Sequence, residues 1–218
     1  SAWPRGTMVD SFRNSGQRRI EATDGLDLIF GEASFTGPKT VAVRTNDGEA
    51  LELVADTVFI NAGARPANPP IEGLDDVPTL NSTSIMELDV LPQHLLVLGG
   101  SYVGLEFAQM FRRFGSEVTV VQRSGQLMGR EDPDVAEAVA EILREDGIEV
   151  LLGTQTRRAA QDDTGKILLT VDTSEGKRTL EGTHLLVAAG RPPNTETLNT
   201  PPRFDALAIG PFLVRRAR

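Results

Sequence analysis

The chain of 218 residues contains no cysteine. That excludes disulfide frameworks, thiolate metal sites and cysteine nucleophiles within it. Histidine is scarce as well: His94 and His184 are the two present. Two imidazoles without thiols do not suggest an all-protein zinc site, so no metal centre is expected. His94 follows Pro92 at the mouth of a strand and His184 opens another, so both read as solvated or structural. No apolar run reaches the roughly 18 residues of a spanning helix. Basic residues are in deficit, 22 against 31 acidic ones, for a net charge of −9 and a pI near 4.8. That balance argues against nucleic acid or anionic membrane as partners. The opening SAWPRGTMVD has no apolar h-region and does not read as a signal peptide, so a cytoplasmic location is expected. What remains, 39% hydrophobic and 24% charged residues, is ordinary for a soluble protein of one or two domains.

Residues 1–18 are polar, rich in Arg, Gly and Ser, and read as a poorly ordered lead-in. From Ile20 to Ile60 the pattern is short and β-like: LDLIF, TVAVRT, LELVA and TVFIN. Asn46-Asp47-Gly48 between alternating runs signals a hairpin. Beyond GARPANPPIEG, which Pro and Gly keep extended, a linker runs to about Leu91. A βαβαβ series follows. HLLVLGG reads as a buried parallel strand because it is almost continuously apolar. A helix then runs from Ser101 to Phe114, with Val103, Phe107, Met110, Phe111 and Phe114 on one face and Gly115 ending it. EVTVV is the second strand. Asp132-Pro133 opens a second helix that carries Val135, Val139, Ile142 and Leu143 inward and ends at Gly147. IEVLL, the meander KILLTVDTSEGKRTLEG and the strand HLLVAAG complete the pattern. Two segments also share a plan of hairpin, apolar strand and an ending, Ala62-Gly63 with Arg65-Pro66 and Ala189-Gly190 with Arg191-Pro192. This weak repeat suggests two related nucleotide-binding units, the first lacking its beginning.

The stretch VLGGSYVGLEF, residues 97–107, has the chemistry of a dinucleotide fingerprint. A pyrophosphate needs concentrated N–H donors and a positive field, in a turn the backbone can approach closely. A strand, a glycine turn and a helix N-terminus supply these together. Gly99 makes the turn, Gly104 lets the helix pack on the strand, and Ser101 stands where the middle glycine belongs. Serine adds only a CH2OH group, whose hydroxyl can itself donate to a phosphate oxygen. A lone GxGxxG is weak evidence, but here the loop follows an apolar strand and opens a helix within a βαβ unit. At the end of the second strand an acid usually grips the ribose of NAD and repels a 2′-phosphate; Gln122 stands there instead. With Arg123 and Arg130 just beyond, the balance leans to NADP(H) and leaves NAD(H) open.

On these residues the chain resembles the FAD-dependent pyridine nucleotide–disulfide oxidoreductases, and among them the mercuric-reductase-like flavoproteins. The stretches that carry the resemblance are GEASFTGPKTVAV, ADTVFINAGARPANPPIEGLDDVPTLNSTSIMEL, LPQHLLVLGGSYVGLEFAQMFRRFGS, REDPDVAEAVAEILREDGIEVL and LLVAAGRPPNT, spanning residues 32–199 in order. The resemblance implies an α/β fold: a Rossmann-type NAD(P)-binding domain over residues 92–192, with a parallel sheet, helices and a β-meander. A partial FAD-binding domain and linker would precede it at 19–91, and a divergent or truncated tail would follow at 193–218. It implies that Gly99, Ser101 and Gly104 hold the pyrophosphate, that Gly100 and Val103 belong to the same NAD(P)-binding stretch, and that Gly190 closes the unit. Tyr102 would shield the flavin and swing aside for the nicotinamide, and Glu106 would lie near the carboxamide. Arg123 and Arg130 fall where phosphate-binding arginines stand in NADPH-using members; NAD-using members carry arginine there too, so Gln122 alone speaks to preference. Ala33, Ala62 and Gly63 match backbone positions that line the FAD adenosine.

The departures are as informative. The family begins with an FAD fingerprint and a Cys-x4-Cys pair, and ends with a flavin-binding Gly-Asp segment and an interface domain carrying a His-Glu pair; this chain has none of them. After Asn199 it reads TPPRFDALAIGPFLVRRAR, as truncation or a shifted reading frame would produce. The expectation is therefore the central part of a flavoprotein that passes a hydride from NAD(P)H to FAD and on to a disulfide or metal-ion acceptor. The full-length enzyme would be a homodimer acting on small-molecule nucleotide, and the isolated chain would not turn over. The alternative is a stand-alone NAD(P)-binding module without catalysis. Redox subfamilies without the cysteine pair, such as NADH oxidases and ferredoxin reductases, stand as a third possibility.

Overall fold

Residues 5–200 and two short strands at 207–209 and 212–214 are described by the computed structural model. The chain divides into two units, residues 1–63 with 194–218, and residues 64–193.

The first unit opens with helix α1 (Arg5–Glu21), where the sequence reading has a poorly ordered lead-in. The helix escapes a periodicity test because it has no apolar stripe. Its support is local: Gln17 donates to Glu21 one turn on, and Arg18 and Arg19 sit in the last turn, where the helix dipole favours cations. Strands β1 (Gly31–Gly37), β2 (Thr40–Thr45) and β3 (Ala50–Val54) form an antiparallel meander. The hairpin at Asn46-Asp47-Gly48 is present; Gly48 takes φ +92°, and its N–H donates to the Thr45 carbonyl at 3.1 Å. Phe35 and Val43 are buried in this unit. The sequence-based strands at LDLIF and TVFIN do not form ladders, apart from a bridge at Ile60. Leu26, Phe30 and Phe59 of these segments stay exposed.

In the second unit, β4 (His94–Leu98), α2 (Tyr102–Phe114), β5 (Glu117–Val121), α3 (Pro133–Glu145) and β6 (Glu149–Leu151) follow in turn. An antiparallel meander of β7 (Gln155–Gln161), β8 (Ile167–Thr173) and β9 (Gly176–Gly182) comes next, then β10 (His184–Val187). The main sheet has the order β10-β4-β5-β6 with every pair parallel. Both faces of β4 are covered, which explains its unbroken apolar run. Leu95 and Val97 join the core under the helices, with Leu105, Ala108, Phe111, Ala140 and Leu143. Leu96 and Leu98 face the other way and pack with Ile167, Leu169, Val171 and Leu180 of the meander. The result is three layers: helices, parallel sheet, antiparallel meander.

Three assignments from the sequence change here. Residues 64–91, read as a linker attached to the first segment, pack into the second unit. Leu74 and Val77 are buried against the meander and Ile85 under the helices, while Leu80 exchanges backbone hydrogen bonds with Leu185 and Val187. Helix α3 buries Ala136, Ala140 and Leu143; Val135 and Ile142 are exposed and Val139 half-buried. In α2 the buried residues are Gly104, Leu105, Ala108 and Phe111, with Phe107 and Met110 at the margin and Phe114 exposed. Both helices lie close enough to the sheet for alanine and glycine to make the contact, and the bulkier residues sit beside it. Beyond residue 200, β11 (Leu207–Ile209) and β12 (Phe212–Val214) pair antiparallel in the first unit.

Neither histidine belongs to a metal cluster, and among the described residues no group of metal-ligating side chains is present. His94 contacts the Thr119 hydroxyl through Nε2 at 2.9 Å, and Thr119 donates to Glu149 at 3.0 Å. His184 contacts Thr183 through Nδ1 at 3.1 Å. No described helix is long and apolar enough to cross a membrane.

Candidate nucleotide site

The chain order β4, β5, β6 runs outward on one side of β4, and β10 returns to its other side. Such a reversal leaves a crevice at the carboxyl ends of the strands, because the connections on its two sides lead away from each other. The protein has a cleft of about 450 Å³ there, lined by Leu98, Gly99, Gly100 and Ser101 after β4 and by Val121, Gln122, Arg123 and Ser124 after β5. Ala188, Ala189 and Gly190 after β10, Thr154 to Thr156, and Pro69-Pro70-Ile71 complete the wall. That volume lies in the range of small-molecule sites.

Each glycine of the turn answers to a particular contact. Gly99 has φ +115°, and a Cβ there would stand 2.4 Å from the Ala188 carbonyl oxygen. At Gly100 a Cβ would meet Leu127 Cδ2 at 2.5 Å, and at Gly104 the Gly99 carbonyl oxygen at 2.2 Å. The turn is pinned to both neighbours: Gly99 N–H donates to the Val121 carbonyl at 2.9 Å and Ala188 N–H to that of Leu98 at 2.8 Å. The helix α2 therefore starts immediately beside the strand, with Ser101 as its N-cap residue. The Ser101 side chain does not cap the helix. The first-turn N–H groups, which have no intrahelical acceptor, are left to the positive end of the helix and to whatever occupies the cleft. The hydroxyl of the wall residue Thr156 is buried and has no hydrogen-bond partner among the described residues.

A family model for pyridine nucleotide-disulphide oxidoreductases matches residues 6–209. The chain belongs to that family. Among its relatives, the mercuric reductase of Streptomyces lividans is 41% identical over 187 residues, which cover 86% of this chain and 39% of that protein. The probable pyridine nucleotide-disulfide oxidoreductase RclA of Escherichia coli K12 is 34% identical over 196 residues, 89% of this chain and 43% of RclA. The solved structure of the Cu(II) complex of RclA, an HOCl-induced flavoprotein disulfide reductase, superposes with a TM-score of 0.73 at 34% identity, over 89% of this chain and 43% of that one. The chain thus spans well under half the length of these members of the family.

Of the positions that resemblance to the oxidoreductases marks for nucleotide, Gly99, Gly100, Ser101, Gln122, Arg123 and Gly190 come together in the cleft. Gly104 stands behind them, and Val103 is half-buried in α2. Tyr102, Glu106 and Arg130 are exposed and are not among the lining residues. Tyr102 donates its hydroxyl to Glu131. That hydrogen bond, together with partial loss of solvent and the adjacent carboxylate charge, holds the phenol above the usual tyrosine range. Arg191 is engaged elsewhere, donating to the Ala64 carbonyl at 2.6 Å. In the first unit, Ala33 lies in β1 opposite Val43, while the Ala62 and Gly63 carbonyls accept from Asn194 at 3.1 and 3.0 Å. These three offer backbone and no side chain that would hold a flavin.

Sequence reasoning missed Ser124, Thr154, Gln155, Thr156 and the Pro69-Pro70-Ile71 wall. No motif marks them. Their common signal is position: Ser124 follows β5, Thr154 follows β6, and the rule that crevices form at strand carboxyl ends finds both once the strands are placed.

Proposed function

We propose that the second unit is the pyridine-nucleotide-binding part of a flavoprotein oxidoreductase, and that it takes NADP(H) in preference to NAD(H). The observation that carries this reading is the cleft at the carboxyl ends of β4, β5 and β10, floored by a glycine turn that no side chain can enter. In this reading the first-turn N–H groups of α2 and the Ser101 hydroxyl receive the pyrophosphate. The dipole contribution is about 0.3–1 kcal/mol when exposed and up to ~2 when partly buried. Arg123, on the cleft wall, pairs with a 2′-phosphate, and no carboxylate at residue 122 repels it. Pro69, Pro70 and Ile71 close one side with apolar surface and limit water.

In a longer protein of this family the nicotinamide would supply a hydride and FAD would accept it, with a disulfide or a metal ion as the final electron acceptor. The flavin environment and the acceptor site belong to that longer protein, by analogy with its mercuric reductase and RclA relatives. This chain's part is to bind and orient the nucleotide. Titration calorimetry of the chain with NADPH and NADH tests the reading. Saturable one-to-one binding with NADPH the tighter is expected, and absence of heat with both nucleotides overturns it.

A further inference from the structure

Gly100 is held from three directions. Its N–H donates to Gln122 Oε1 at 2.9 Å, its carbonyl accepts from Met128 N–H at 2.8 Å, and Leu127 with the Gln122 Cβ and Cγ fills the space of its missing side chain. The Gln122 amide is itself fully spoken for. Its Nε2 donates to the Ser124 hydroxyl and to the Gln126 carbonyl, and Ser124 in turn donates to that same carbonyl at 2.8 Å. Turning the amide over would set an N–H against the Gly100 N–H and a carbonyl oxygen against the Gln126 carbonyl, so one orientation is dictated. The backbone of Gln122 is anchored as well, donating to Leu151 and accepting from Thr154.

We infer that Gln122 is a positioning residue: it clasps Gly100 and so fixes the phosphate-receiving turn, and it does not read the ribose. This rests on the reading that the cleft holds a pyridine nucleotide, and it reverses the role that residue type alone suggested. A carboxylate at this place would accept from Gly100, but it has no donors for Ser124 and Gln126 and would face the Gln126 carbonyl with negative charge. Glutamine stays down because it can donate twice. Discrimination between NADP(H) and NAD(H) then falls to Arg123, which lines the same cleft.

The test uses the 15N-labelled chain carrying Gln122→Met, which keeps the length of the side chain and removes its polar atoms. Amide exchange at Gly100 and the dissociation constants for NADPH and NADH are compared with wild type. Faster exchange at Gly100 is expected, with both nucleotides weakened by the same factor of about three to ten, the worth of one hydrogen bond. Gln122→Glu, which retains an acceptor for Gly100, is expected to recover part of the Gly100 protection. If the Gln122→Met chain does not fold, Ser124→Ala, which removes one anchor of the amide, is read in the same two ways. Unchanged Gly100 exchange in a folded Gln122→Met chain overturns the inference. So does a loss confined to one nucleotide, which would assign Gln122 to the ribose. If the wild-type chain binds neither nucleotide, the functional reading falls, while Gly100 exchange still decides whether the clasp exists.

Discussion

Replacing Gly104 by alanine sets two opposed effects against each other inside one helix. Alanine is the better helix former by about 1 kcal/mol. Against that, the new Cβ would stand 2.2 Å from the Gly99 carbonyl oxygen, with Val97 Cγ1 at 3.3 Å. Ordinary contact begins at 3.4 Å, so the start of α2 must retreat from the glycine turn by about 1.2 Å. Because the opposing atom is backbone, no rotamer change relieves the clash, and the upper part of the 1–3 kcal/mol range for overpacking applies, about 3 kcal/mol. The net loss is about 2 kcal/mol, or a fall in thermal midpoint of roughly 4–8 °C. The same retreat displaces the first-turn N–H groups, and loss of one or two charge-assisted hydrogen bonds weakens nucleotide binding by roughly ten- to a hundredfold. Gly115→Ala separates the two consequences. Gly115 has φ +108° and open space around it, so alanine there is strained by about 1–2 kcal/mol without touching the cleft. Calorimetric melting and NADPH titration of both variants give the comparison. A Gly104→Ala chain that melts like wild type and binds NADPH as tightly would refute the packing argument.

Arg123→Ala is expected to weaken NADPH by about tenfold and leave NADH unchanged, whereas Arg130→Ala, outside the cleft lining, changes neither; paired calorimetric titrations decide. Leu127 is fully buried with Cδ2 in the space beside Gly100, so Leu127→Ala should cost about 2–5 kcal/mol in denaturant unfolding and also loosen the turn. Burial holds the His184 imidazole below the ordinary histidine value of 6.5. The folded state therefore binds that proton less readily than the unfolded one, and the stability linked to it, intact above 6.5, is lost as pH falls below that value. His184→Gln should narrow the drop in urea midpoint between ~7.5 and ~5.5. A drop that widens in the variant would contradict the sign.

The parts of the fold legible in the sequence are those where one local rule dominates. HLLVLGG is apolar throughout because β4 is covered on both faces, and Asp132-Pro133 and Gly115 mark helix ends through backbone geometry alone. The glycine turn is legible for the same reason. Reading fails where close approach replaces bulk: α3 meets the sheet through Ala136 and Ala140, so the large residues Val135 and Ile142 mislead. It fails again at β7, QTRRAAQ, where only Ala159 is buried and no alternation of apolar residues announces a strand. α1 hides because its supports are polar. At the site, Gly99, Ser101 and Arg123 were visible from the motif and the strand end that follows it. The far wall was not, because Thr154 to Thr156 owe their place to the return of the meander and not to any pattern of their own. Gln122 was found as well, but its bonds to Gly100, Ser124 and Gln126 were not, because residue type tells which bonds a side chain can make but not which neighbours claim them.

Nucleotide mapping by NMR bears most directly on the central claim, that the crevice at the carboxyl ends of β4, β5 and β10 is a pyridine-nucleotide site. Titrating the 15N-labelled chain with NADPH should move the amide signals of Gly99 to Tyr102, Gln122 to Ser124 and Thr154 to Thr156 together, on one binding curve. Signals that stay fixed at saturating nucleotide, or shifts confined to residues outside this cleft, would contradict it.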